Sequence, residues 1–140
     1  MSIEEKQRAI IDEFSMFDDW MEKYEYIIDL GKDLPQLSEN QKDDTQIIEG
    51  CQSRVWLKSE FSNDKMSFLA DSDAIITKGI IALLIQVLNN ETPQNIASSN
   101  LFFIDEIGLK EHLSPTRANG LLSMVKRMKM DAIKMVNSGK

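Results

Sequence analysis

The chain has 140 residues, 42% of them apolar and 28% charged, with one cysteine and a formal net charge of −7. That profile fits a globular domain with a sizeable core and excludes a disordered segment or a disulfide scaffold. Acid excess disfavours nucleic acid as a partner, and the longest apolar run, Ile80 to Ile85, is far short of the ~20 residues that cross a bilayer.

Charge is divided along the chain. Residues 1–49 hold 5 Lys and Arg against 14 Asp and Glu, whereas residues 114–140 hold 6 Lys and Arg against one Asp. Such a division describes either two solvated helix faces or a polar molecule that orients against a partner. The run from Met1 to Lys6 is acidic and amphipathic, without a charged n-region or an apolar h-region. A cytoplasmic protein is expected, and a reducing compartment suits a lone thiol.

In chain order, Ile3 to Phe14 predicts an amphipathic helix, its stripe running through Ile10, Phe14, Phe17 and Met21. Asp18-Asp19 interrupts it, and Asp19 with Glu22 can cap a second helix lined by Trp20, Tyr24, Ile27 and Ile28, with Gly31 as its C-terminal cap. Leu34-Pro35 forces extended chain, and Ser38 to Asp44 reads as an exposed polar loop. Thr45 to Ile48 is a short candidate strand. Val55, Leu57 and Phe61 alternate with polar residues in a second, Ser62-Asn63-Asp64 turns the chain, and Lys65 to Ala70 returns antiparallel.

Asp73 is positioned to cap a helix apolar on nearly every face, from Ile75 to Leu88, which predicts a central buried element. Gly79 within it permits close approach of a neighbour. Thr92-Pro93 starts a short helix, and a further turn of helix ends at His112. Ser114 and Pro115 then begin a last helix with Leu121, Val125, Met128, Ala132 and Met135 on one face. The expected architecture is α+β, a single domain over residues 1–140 with a three-stranded antiparallel sheet covered by helices.

Few residues carry chemistry. The six glycines are scattered and form no phosphate loop, and one cysteine with one histidine cannot build a four-ligand Cys/His zinc site. A hydrolase using His112 lacks a G-x-S-x-G elbow. Paired carboxylates such as Asp71 and Asp73 fall at caps and loops, where short acidic side chains satisfy backbone donors. The methionines of the last helix follow its core spacing and read as adaptable filler.

Cys51 remains. Gly50 before it permits unusual backbone, Gln52 and Ser53 after it suit a turn, and the expected sheet puts it at a hairpin tip. The residues alone leave it as either a half-buried small hydrophobe or a reactive thiol. Arg54, His112 and Arg117 are the cations that could stabilise a thiolate. Without a second cysteine, disulfide exchange within the chain is excluded.

Five blocks in order carry a resemblance: Trp20 to Gly31, Gly50-Cys51-Gln52-Ser53 with Val55-Trp56, Asp71-Ser72-Asp73-Ala74 with Lys78-Gly79, Thr92-Pro93-Gln94, and His112 to Arg117 with Gly120-Leu121. Together they resemble the SufE family over roughly residues 14–135. The resemblance implies a SufE/NifU-like fold and a sulfur acceptor of iron–sulfur cluster assembly, acting as partner and activator of a desulfurase rather than as a stand-alone enzyme. Cys51 would take persulfide sulfur from a pyridoxal-phosphate cysteine desulfurase and pass it to an iron–sulfur scaffold. Gly50, Gln52, Asp73 and Arg117 would control the loop or dock the partner, while His112 has no assigned role. The resemblance implies no cofactor or metal on this chain, no membrane or nucleic-acid partner, and a monomer or weak homodimer. In that family the acceptor cysteine rests toward an apolar cavity and swings out in the complex. The competing classes are an interaction module in which Cys51 is incidental, and a thiol enzyme using it as a peroxide or acyl nucleophile.

Overall fold

Helix starts follow the capping residues of the sequence. The structure, a computed structural model, describes residues 2–34, 37, 39, 42, 44–50 and 53–138. Ser2 caps α1 (Ile3–Ser15) in a reciprocal box, its Oγ accepting from the Glu5 N–H at 3.1 Å while the Glu5 carboxylate accepts from the Ser2 N–H at 2.9 Å. Asp19 caps α2 (Trp20–Lys32) by accepting from the Glu22 N–H at 3.0 Å. The chain turns between the two helices, so the expected stripe holds only as far as Phe17. Phe14 and Phe17 form an aromatic cluster with Tyr26, whereas Met21 is 70% exposed because α2 is phased by its own buried Ile27.

Gly31 is not a helix cap. It lies inside the last turn of α2, buried against Gly79 of α3 (Ile75–Leu88). A Cβ on Gly31 would come within 2.8 Å of the Gly79 nitrogen, and one on Gly79 within 2.1 Å of the Ile27 carbonyl oxygen. The two backbones touch there, as only glycines permit. α3 is buried on nearly every face, in contact with α1, α2, α7 (Pro115–Ser138) and the sheet. Its first residue, Ile75, is 69% exposed, and Gln86 is exposed as well.

The sheet is an antiparallel hairpin of β1 (Val55–Ser62) and β2 (Lys65–Ser72), paired from Val55 with Ser72 to Ser62 with Lys65. Asn63 and Asp64 turn it with φ of 55° and 66°, the left-handed pair of a type I′ turn. Val55 and Leu57 face the core, but Phe61 is exposed, as are its neighbours Glu60 and Ser62 at the end of β1. The expected third strand is absent among the described residues. Asp44–Gln46 form a single 3-10 turn, and pairing shrinks to a bridge between Ile47 and Trp56 with one bond from the Ile48 N–H to the Val55 carbonyl.

The remaining helices are α4 (Pro93–Ser98), capped by Thr92, then α5 (Phe103–Glu106) and α6 (Leu109–His112), and finally α7. The Ser114 Oγ accepts from the Arg117 N–H at 3.3 Å and starts α7 as its sequence implies. Leu121, Met124, Met128 and Ala132 of α7 are fully buried.

Substituting Gly79 by Ala forces the α2–α3 crossing apart. It should cost about 3 kcal/mol or more, read as a lower urea midpoint. A midpoint within error of the parent would mean that these helices do not meet backbone to backbone.

Candidate functional site

Cys51 and Gln52 lie outside the described residues, so the site is defined by what holds the chain on either side of them. The Ile48–Val55 bond of 2.8 Å closes a loop over residues 49–54. On its leading side Gly50 adopts φ of +93°, and a Cβ there would fall 2.4 Å from the Ser123 Oγ of α7. The backbone conformation requires glycine, and a larger residue would also have to displace the Ser123 hydroxyl. On its trailing side the Asp73 Oδ1 accepts from the Arg54 N–H at 3.1 Å. The Arg54 carbonyl accepts from the Ser72 Oγ at 2.9 Å and from the Asp73 N–H at 3.3 Å.

Asp73 is therefore not the N-cap of α3, contrary to the expectation. Ala74 occupies that position without a side-chain cap. The Asp73 carboxylate is turned instead onto the backbone three residues beyond Cys51, and the Ser72 Oγ accepts from the Ala74 N–H at 3.2 Å. Loop closure has taken the side chain that local sequence assigned to the helix.

A small cavity of about 60 Å³ lies beside the loop, lined by Ser53, by Thr77 and Ile80 of α3, and by Thr116, Arg117, Gly120 and Met124 of α7. It opens at the first turns of a 24-residue helix, whose dipole favours negative charge. Of the three cations named from sequence, Arg117 lines this cavity. Arg117 is exposed, its Nη1 lies 3.5 Å from the Tyr24 hydroxyl, and among the described residues no carboxylate pairs with it. Arg54 enters the site through its backbone. His112 stacks on Trp20 with ring centroids 4.1 Å apart, and its Nδ1 is 3.0 Å from the Gly108 carbonyl oxygen, which gives it a packing role.

Two residues of this region were not singled out by sequence reasoning. The Arg127 guanidinium, on α7, donates to the Thr45 and Ile47 carbonyls at 2.7 and 3.1 Å and to Asp131 at 3.3 Å. Lys42, in the polar stretch read as exposed, pairs with Asp71 at 2.8 Å and lies over the Trp56 ring. Lys78 approaches the same carboxylate at 3.4 Å. Burial alone would raise the Asp71 pKa. The Lys42 and Ser72 N–H hydrogen bonds and the two lysine charges outweigh it and hold the carboxyl below its ordinary value. Lys42 is raised in turn, chiefly by its bond to Asp71. Neither residue could have been found without knowing which distant segments meet.

Among the described residues no group of three His, Cys, Asp or Glu side chains is placed to hold a metal ion, and no helix is long and apolar enough to cross a membrane.

Comparison with known proteins adds a family. The model of SufE, described as an Fe-S metabolism associated domain, matches residues 8–132. An uncharacterized SufE-like protein of Rhizobium etli is 43% identical over 128 residues, covering 88% of this chain and 86% of its own. Another, from Rhizobium meliloti, is 38% identical over 128 residues, covering 88% of this chain and 91% of its own. The solution structure of a hypothetical protein from Thermus thermophilus superposes with a TM-score of 0.78 over 94% of this chain and 96% of its own, at 17% identity, and so shares the fold.

Two outcomes follow from the geometry. Asp73→Ala should cost about 1 kcal/mol, the worth of one hydrogen bond, while Asp73→Asn, which keeps the acceptor, should stay near the parent. Thermal midpoints of the pair check this, and equal losses in both would show that the carboxylate does not hold Arg54. For the Lys42–Asp71 pair the pH window has two edges. The lowered Asp71 pKa gives stability that is present above its unfolded value near 3.8 and lost as pH falls through the folded value. The raised Lys42 pKa gives stability that is present below 10.5 and lost as pH climbs through the folded value. Asp71→Asn should therefore lower the urea midpoint at pH 7 and flatten its decline below about pH 4. An unchanged acid slope would remove Asp71 from the pairing.

Proposed function

The chain belongs to the SufE family, a protein of iron–sulfur metabolism and sulfur transfer, and on that premise we propose that Cys51 is the sulfur acceptor. It would receive persulfide sulfur from a cysteine desulfurase, stimulate that enzyme, and release the sulfur to an iron–sulfur scaffold. One observation carries the reading. In sequence the only thiol of the chain falls between two anchored points, Gly50 against α7 and Arg54 bonded to Asp73, and Ser53, two residues on, lines a cavity at the N-terminal turns of α7.

The transfer is redox-neutral. The Cys51 thiolate attacks the terminal sulfur of the desulfurase persulfide, a new S–S bond forms on Cys51, and the old one breaks with its electron pair leaving on the desulfurase cysteine. A persulfide in open solvent is readily reduced or oxidised. The cavity offers several times the ~10–15 Å³ that one water needs, room for a thiol carrying a second sulfur. Delivery to another protein then demands a loop that can leave its seat. Anchors made of a close contact at Gly50 and a few hydrogen bonds at Arg54 suit it, each bond worth about 0.5–1.5 kcal/mol net, so opening is local.

Within this reading Asp73 restrains the trailing side of the loop, and Arg117 serves as a docking residue. A cation in the first turn of a helix is electrostatically unfavourable. Tyr24 is its recorded side-chain partner, which leaves the guanidinium fork for a carboxylate of the desulfurase.

The test is intact mass after incubation with a cysteine desulfurase and free cysteine. The parent should gain the mass of one sulfur atom, reversibly with a thiol reductant, and Cys51→Ser should gain none while remaining folded. A gain persisting in the Ser variant would sink the assignment. Alkylation separates the other classes: an acceptor reacts slowly alone and faster with its partner, a peroxide or acyl nucleophile reacts fast alone, and an incidental thiol is indifferent. Arg117→Ala should weaken stimulation of the desulfurase while stability stays within about 0.5 kcal/mol of the parent. Full stimulation with a clear loss of stability would place Arg117 in the fold instead.

A further inference from the structure

The limb that leads into Cys51 is held from a distance. Thr45 and Ile47 present carbonyls that a third strand would have paired, and Arg127 receives both on one guanidinium, at 2.7 and 3.1 Å. The third arm of the fork is occupied by the Asp131 Oδ1 at 3.3 Å, and the Asp131 Oδ2 accepts from the Ser59 Oγ of β1 at 2.7 Å. One turn earlier on α7, Ser123 is the seat of Gly50. A single face of α7 therefore holds the chain at residues 45 and 47 and lies against residue 50, and through Asp131 it holds β1 as well. The grip imposes a conformation that the segment's own side chains do not favour. The Gln46 Oε1 within it is buried without a hydrogen-bond partner among the described residues, a cost that another contact must offset.

We propose that Arg127 is a positioning residue for sulfur transfer: its guanidinium fixes the limb from Thr45 to Gly50, and so sets how far and in which direction Cys51 can reach. The inference rests on the reading of Cys51 as acceptor. The trailing side is held at Arg54 by the Asp73 carboxylate, the Ser72 hydroxyl and the Asp73 N–H, whereas on the leading side one side chain, Arg127, holds two carbonyls and is braced by a carboxylate. The direction of the leading side thus depends on one guanidinium. Planar geometry is essential, because two carbonyls and a carboxylate must be met in one plane, and an ammonium on a flexible stem cannot reproduce it.

The test uses the whole chain as Arg127→Gln and Arg127→Lys, with iodoacetamide as the probe of Cys51 and a cysteine desulfurase as the partner. Alkylation of the isolated protein should speed up about 3- to 10-fold in both variants, the loss of one or two hydrogen bonds. The increase should persist unchanged in dilute urea, as local opening does and global unfolding does not. The desulfurase concentration dependence should show a raised half-saturating concentration, because a freer loop must be ordered on docking, while the final sulfur load on Cys51 stays at the parent value. Alkylation at the parent rate in variants of lowered thermal midpoint would overturn the proposal and leave Arg127 as a structural brace. A full return of the parent rate in Arg127→Lys would overturn the requirement for the fork. Failure of the parent itself to acquire sulfur is a separate result, and it would strike the acceptor reading instead.

Discussion

Everything in this molecule is arranged around the contact of two glycines. Gly31 and Gly79 let α2 and α3 meet backbone to backbone, closer than any side chain would permit. That approach gives α3 its central place, with α2 on one side and β2 on another, and lets its apolar residues be buried on nearly every face. The site inherits its frame from this crossing. Thr77 and Ile80 flank Gly79 and line the cavity, and Asp73 just precedes the helix. Tyr24, two turns before Gly31 on α2, comes within 3.5 Å of Arg117 on α7.

A sulfur carrier faces opposed demands. Its thiol must be sheltered between encounters and extended during them. A rigid loop fails the second demand and a free loop fails the first. The chain here is seated at Gly50 and bonded at Arg54, with residues 51 and 52 spanning the interval. Contacts of this kind are individually modest and lie outside the core. They can be exchanged for contacts with a partner without disturbing the packing of α3.

What the sequence disclosed, and what it withheld, follows the range of the interactions. Ser2, Asp19, Thr92 and Ser114 were legible as helix starts because a cap is settled within three or four residues. Asp73 carried the same local signal and was misread, since its carboxylate answers to Arg54, 19 residues away. Gly31 looked like a cap because glycine is common there; its actual reason is a helix more than 40 residues downstream. Thr45 to Ile48 has strand composition, but its carbonyls are met by Arg127, some 80 residues later. Cys51 was legible as the candidate because it is the only thiol of the chain and follows a glycine in sequence. The devices that hold its loop were not, for each joins segments far apart in sequence.

The two-stranded sheet shows how those long-range contacts work together. A hairpin has two open edges, each a row of unpaired backbone groups that invites association. On the β2 side, Met66 exchanges bonds of 2.8 and 2.7 Å with Glu91 and Asn90, and the Phe68 N–H donates to the Asn89 Oδ1. That covering segment is held by Lys6 of α1, whose Nζ reaches the Asn89 carbonyl at 2.9 Å and the Glu91 carboxylate at 2.7 Å. On the β1 side, Ile47 and Ile48 bridge to Trp56 and Val55 and are held by Arg127 of α7. Each edge is thus closed by a short segment that pairs briefly, and a cation from a distant helix secures that segment by its carbonyls. Lys129 serves the chain in the same way, donating to the Ser99 carbonyl at 2.6 Å. The cations of α7 are therefore neither simply a solvated face nor wholly a surface for a partner. Part of that charge is spent inside the molecule, where it replaces strand pairing. The segment secured on the β1 side is the one that leads into Cys51, so under the proposal above the device that closes the sheet edge would also aim the thiol.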